Sequence, residues 1–148
     1  MRKIFDFASS ANPYVADAAV LCCFDHRVRN VVTEFLRVRG IQNADMIIVA
    51  GGAKILTSPR NPFDRDFILE QVGMSIRLHH PTRILVISHS DCATYGGLAH
   101  FNDDTAAEME HHRKELCRAA ELINGHFPNM IVESYFVNFD GVWASDPT

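Results

Sequence analysis

The stretch Ala18-Ala19-Val20-Leu21-Cys22-Cys23-Phe24-Asp25-His26-Arg27 decides how the rest of the chain is read. Its first seven residues are an unbroken apolar run with the length and composition of a buried strand. From Val28 the period changes. Val28, Val31, Val32, Phe35 and Leu36 fall on one face of a helix that Gly40 can end. The pairing of apolar run and helical pattern then recurs. Met46-Ile47-Ile48-Val49-Ala50 is the second expected strand and closes on Gly51-Gly52. Beyond a loop with Pro59, Asn61-Pro62 caps an expected helix that turns Phe67, Ile68, Val72 and Ile76 inward and fails near Pro81. Arg83 to Ser88 is the third strand. Thr105-Ala106-Ala107-Glu108 fits a capping box that opens the longest helix, running past Met109, Leu116, Ala120 and Ile123 to Asn124-Gly125. A fourth strand is expected from Met130 to about Val137, with a short extension after Asp140-Gly141.

Strands alternating with helices predict an α/β fold: a central, mostly parallel β-sheet of about four strands flanked by helices and joined by right-handed crossovers. The 148 residues, 47% of them hydrophobic and 22% charged, suit a single domain spanning 1–148. A formal net charge of -4, with the basic residues scattered, gives no electrostatic reason to expect nucleic acid or an anionic membrane as partner. No apolar stretch reaches the length that spans a bilayer. Arg2-Lys3 followed by Ile4-Phe5-Asp6-Phe7 is too short and too polar for a signal peptide. Four cysteines without such a signal suit a reducing compartment, so the expected location is the cytoplasm.

Ligands of parallel sheets sit beyond the carboxyl ends of the strands, where the winding reverses. Two strands end there in unusual chemistry: Cys23-Phe24-Asp25-His26-Arg27 after the first, His89-Ser90-Asp91-Cys92 after the third. Zinc takes thiolate and imidazole in a tetrahedron, and its catalytic sites keep one position open. Cys23, His89 and Cys92 are therefore the expected ligands. Strand alternation points Cys22 away from Cys23 and into packing, and Cys117 falls on the apolar repeat of the long helix. Asp25 and Arg27, two apart, would share one side of an extended segment. Arg27 would then orient Asp25, which either accepts a hydrogen bond from water on the metal or binds the metal itself.

The paired motifs Cys-x-Asp-x-Arg and His-x-x-Cys, in this order, resemble the signature of the β-class carbonic anhydrases. The order of strands and helices is similar too, as is the turn Ala50-Gly51-Gly52. The resemblance implies that Cys23, His89 and Cys92 bind zinc beside an Asp25–Arg27 dyad. The implied activity is that of a carbonate dehydratase, a lyase hydrating carbon dioxide reversibly to bicarbonate through a metal-bound hydroxide, here with a rate rising toward alkaline pH. It also implies a homodimer or higher homo-oligomer. The chain departs from the family in Ala93-Thr94-Tyr95 after the second motif, where glycine usually follows the cysteine. It departs again in Lys54, where the turn usually holds asparagine. Both departures fall on the substrate side. Related readings are hydrolysis of carbonyl sulfide or carbon disulfide, and a regulatory zinc protein with Asp25 on the metal. His26 and the pairs His79-His80 and His111-His112 are expected to be solvated or packed.

Overall fold

A computed structural model describes residues 1–145; residues 146–148, the end of the expected 1–148 domain, lie outside the described residues. The elements follow in the order β1 (Ala18–Cys23), α1 (His26–Val38), β2 (Ala44–Val49), α2 (Lys54–Thr57), α3 (Pro62–His79), β3 (Arg83–His89), α4 (Thr105–His126), β4 (Ile131–Val137) and β5 (Val142–Ala144). Two short 3-10 turns, Ala93–Tyr95 and Leu98–Phe101, lie between β3 and α4. The strands form one sheet in the order β2-β1-β3-β4-β5. The first four are parallel. The short extension expected after Asp140-Gly141 is the fifth strand, and it pairs antiparallel with β4, Val137 facing Val142.

β1 stands between β2 and β3, so the chain winds one way from β1 to β2 and the other way onward from β3. The crevice of such a sheet opens at that reversal. Register does the rest. Leu21 pairs with Val86, which brings the ends of β1 and β3, Cys23 and His89, to nearly the same level.

Both faces of the sheet are covered, as continuous apolar strands require. On one face Ala19, Leu21, Ile84, Val86 and Phe136 pack against Leu56, Ile68, Val72, Leu116 and Ile123 of α2, α3 and α4. On the other, Val20, Cys22, Leu85, Ile87 and Val137 pack against Val28, Val32 and Leu36 of α1. Cys22 is thus the packing residue that alternation predicts, and Cys23 points elsewhere.

Five local expectations shift. Helix α1 starts at His26, two residues early, because Asp25 caps it by accepting from the Arg27 amide. On α3 the buried stripe is Ile68, Leu69, Val72 and Ser75, whereas Phe67, about 100° around the helix from Ile68, is 61% exposed. Helix α4 is capped by Asp104 rather than Thr105: its carboxylate accepts from the amides of Ala106 and Ala107. That frees Glu108 for another task. The helix also runs through Asn124-Gly125 to His126, where Phe127-Pro128 follows. Cys117 is half-buried on α4 beside Arg113 and is not among the residues of the main core.

Candidate metal centre

β1 delivers Cys23 and β3 delivers His89. Cys92 follows on a turn in which Asp91 holds the left-handed region, φ +51°. One donor atom from each of Cys23, His89 and Cys92 lies within 4.8 Å of the other two. Tetrahedral zinc with bonds of about 2.0–2.3 Å sets its ligands roughly 3.3–3.8 Å apart, a spacing that falls inside this bound. The imidazole is prepared as well. His89 Nδ1 lies 2.8 Å from the Ser90 carbonyl oxygen, an acceptor only, so Nδ1 carries the proton and Nε2 presents its lone pair. That Nε2 is buried without a hydrogen-bond partner, an unfavourable state that a cation relieves.

The two thiols influence each other. The neighbouring Cys23, with the Thr94 hydroxyl 3.1 Å away, pulls the Cys92 pKa down to about 6 against the effect of burial. The neighbouring Cys92, with burial, pushes Cys23 up to about 12. The Gly51 amide donates to Cys23 Sγ at 3.4 Å. Each sulfur thus has a protein group able to donate to it, a setting that favours a thiolate pair once a cation is bound.

Gly51 and Gly52 make this proximity feasible. Both hold positive φ, +76° and +52°. A Cβ on Gly51 would stand 2.4 Å from Thr94 Oγ1, and one on Gly52 2.6 Å from the Ile87 carbonyl oxygen. Lys54, where the family turn differs, donates from Nζ to the Thr94 carbonyl and lies over the Tyr95 ring. The altered Ala93-Thr94-Tyr95 turn is therefore braced from α2.

Asp25 and Arg27 meet, though not by projecting from an extended strand. The chain has already turned into α1, and the dyad is an N-cap with its own first turn. Arg27 Nε reaches both Asp25 oxygens at 3.1 and 3.2 Å, and Nη2 reaches Oδ2 at 2.7 Å. This pairing holds the Asp25 carboxyl down at about 2, so it is ionised at any ordinary pH. Asp25 stands outside the group of three mutually close donors found among the described residues. Beside it lies a small cavity of about 50 Å³, lined by Cys22, Cys23, Asp25, Val28, Met46 and Ile48 among others.

Asp91 and Glu108, to which the sequence assigned no role at the site, complete it. Arg27 also grips Asp91, Nη1 to Oδ2 at 2.7 Å and Nη2 to the carbonyl at 2.9 Å. The other Asp91 oxygen accepts from the Leu98 amide at 2.9 Å. Glu108, 1% exposed, accepts from Ser90 Oγ at 2.5 Å and from the Asp91 amide at 2.7 Å. The one signal in the sequence is that Asp104 offers α4 a second cap, which releases Glu108. The histidines behave as expected of solvated or packed side chains: His26 is exposed, His79 bonds Asp45, His80 ends α3, His111 stacks on Phe101, and His112 is fully buried against Tyr95 and Phe136.

A five-stranded, mostly parallel sheet between helices, with a Cys-His-Cys cluster at its switch point, defines a protein of the β-carbonic-anhydrase fold. Residues 15–145 match the family model described as "Putative carbonic anhydrase", and the chain belongs to that family. Among solved structures it is similar to β-carbonic anhydrase isoform I from Trichomonas vaginalis, at TM-score 0.63 and 13% identity, covering 95% of this chain and 87% of that one. It is similar at TM-score 0.58 and 15% identity to a carbon disulfide hydrolase, covering 92% of this chain and 81% of that one. In sequence it is 22% identical over 130 residues to an uncharacterised protein of Rickettsia conorii, covering 86% of this chain and 70% of the relative. No helix among the described residues is long and apolar enough to cross a membrane.

Proposed function

We propose that Cys23, His89 and Cys92 hold a zinc ion and that the chain, acting as one 1–148 unit, hydrates carbon dioxide reversibly to bicarbonate. The observation that carries this reading is the convergence of two thiols and an unpartnered imidazole nitrogen within 4.8 Å, with Asp25 ionised beside them and tied to Arg27 rather than inside the cluster. Zinc bound there supplies a Lewis acid that acidifies water into a nucleophile. The chain supplies the remainder. Asp25 has both oxygens committed to Arg27, yet a carboxylate offers about four lone-pair sites. It therefore keeps capacity to accept a proton-bearing oxygen and so orient the attacking water. Arg27 keeps that carboxylate ionised and aimed. The cavity of about 50 Å³ beside Cys23 and Asp25 has Val28, Met46 and Ile48 in its wall. It suits a small linear apolar molecule and excludes a bulky one.

The same pocket and the likeness to a carbon disulfide hydrolase favour a second reading, hydrolysis of carbon disulfide or carbonyl sulfide. A non-catalytic zinc protein is the third. We also place the chain in the cytoplasm. We expect a homodimer, because Met46 and Ile48 of the edge strand β2 are exposed together with Phe24, around the cavity that Cys23 lines. Sedimentation of the purified protein as a monomer at micromolar concentration would remove the dimer.

Stopped-flow hydration of carbon dioxide at pH 7 and pH 9, on protein of measured zinc content, tests the main reading. Activity that is greater at pH 9 is the expected result. Zinc-loaded protein inert on carbon dioxide but active on carbon disulfide or carbonyl sulfide moves the assignment to hydrolysis. Protein inert on all three overturns the enzyme reading.

A further inference from the structure

Arg27 has five N–H donors in a plane and spends them on two different carboxylates. Asp25 belongs to its own helix start, whereas Asp91 belongs to the loop that carries His89 and Cys92. The guanidinium therefore fastens the two halves of the site to each other, with the Phe139 ring 5.6 Å beneath it. Each other contact of Asp91 is also committed. Its second oxygen holds the Leu98 amide, its own amide is held by the buried Glu108, and its backbone is in the left-handed region. A Cβ at Gly97 would come within 2.9 Å of Asp91 Oδ1, so the Gly96-Gly97 turn is closed down onto this carboxylate. Asp91 is the fixed point to which Arg27 is moored.

We propose that Asp91 is a positioning residue: by mooring Arg27 on the side away from Asp25, it prevents Asp25 from taking the fourth position on the metal. The inference rests on the proposed metal site and deepens it. Asp25 lies two residues from Cys23 and is the carboxylate a dication there would draw in. An arginine on a flexible stem with only Asp25 to hold would turn with it toward the cation. Anchored at both Nη atoms to a loop clamped by Glu108, Arg27 cannot follow, and Asp25 stays where a carboxylate can meet a substrate-side proton.

The test uses cobalt-substituted protein and azide, a small anion that competes for the open position and changes the cobalt visible spectrum. In the wild type, azide binds and shifts the spectrum. In Asp91→Asn, which keeps the size of the side chain but can satisfy only one of Leu98 and Arg27, azide affinity is expected to fall about tenfold or more, the range seen when a group that orients the surroundings of a metal is removed. In an Asp25→Ala background the same change is expected to leave azide affinity within about twofold, because no carboxylate remains to compete. Equal losses in both backgrounds, or no loss in either, overturn the proposal. Asp91→Ser, which removes the carboxylate that Arg27 holds, serves if Asp91→Asn does not hold cobalt. If neither variant holds it, Asp91 is structural and the proposal falls. Wild-type protein that fails to bind cobalt sinks the metal site itself, and with it this inference. Wild-type protein that binds cobalt and azide while Asp91→Asn is unaffected sinks the inference alone.

Discussion

His112 has no exposed surface and neither ring nitrogen has a hydrogen-bond partner. Burial, aided by His111 and His89, drives its pKa down to about 3, so it is neutral in the folded protein. In the unfolded chain it takes up a proton near pH 6.5. The folded pKa lies below the unfolded one, so the unfolded state binds more protons between these values. The associated stability is present above about pH 6.5 and is lost as pH falls, with a slope approaching roughly 1.4 kcal/mol per pH unit. His112→Phe removes the dependence and fills the site. Urea melts at pH 7 and pH 5 are expected to show wild type losing more stability than His112→Phe; parallel losses would contradict this. Glu108 is the opposite case, a buried carboxylate whose oxygens both accept. Glu108→Gln points an amide N–H at one of the two donors, and the expected cost is about 1–3 kcal/mol in the same melts, without a cavity.

At the scale of elements, strands and helices were legible because period and punctuation agree. The apolar run Ala18–Phe24 reads as β1, and Gly40, at φ +73°, ends α1 with Ile41 donating back to Leu36. What failed depends on competition between neighbours. Thr105 makes a plausible cap until Asp104, one residue earlier, makes a stronger one. Phe67 sits beside the buried stripe of α3, and side-chain size alone could not tell which of Phe67 and Leu69 faces the sheet. The glycine turn after β2 carries a prediction of its own. Gly52→Ala meets the Ile87 carbonyl and strains a left-handed residue, so it is expected to cost more than about 2 kcal/mol. A Cβ on Gly40 would meet nothing within 4 Å, so Gly40→Ala suffers only the backbone strain, about 1 kcal/mol. Equal losses for the two in thermal melts would show that the close approach at Gly52 is not what fixes that turn.

Across the whole molecule, the site is the product of topology. The clustering of Cys23, His89 and Cys92 was readable because two short motifs each end a strand, and adjacent strand ends meet at the switch point. The supports were hardly readable: Arg27 meets Asp91 across 64 positions with no pattern to announce it, and only the second cap at Asp104 hints that Glu108 is released to meet Ser90 across 18. If Cys23, His89 and Cys92 act as one metal site, zinc content per chain shows it most directly. After dialysis against a mild chelator, wild-type protein and Cys117→Ser are expected to retain about one zinc per chain, while Cys92→Ser retains less than roughly a tenth and melts at lower temperature. Cys92→Ser that keeps a full equivalent of zinc and an unchanged melting temperature would contradict the account.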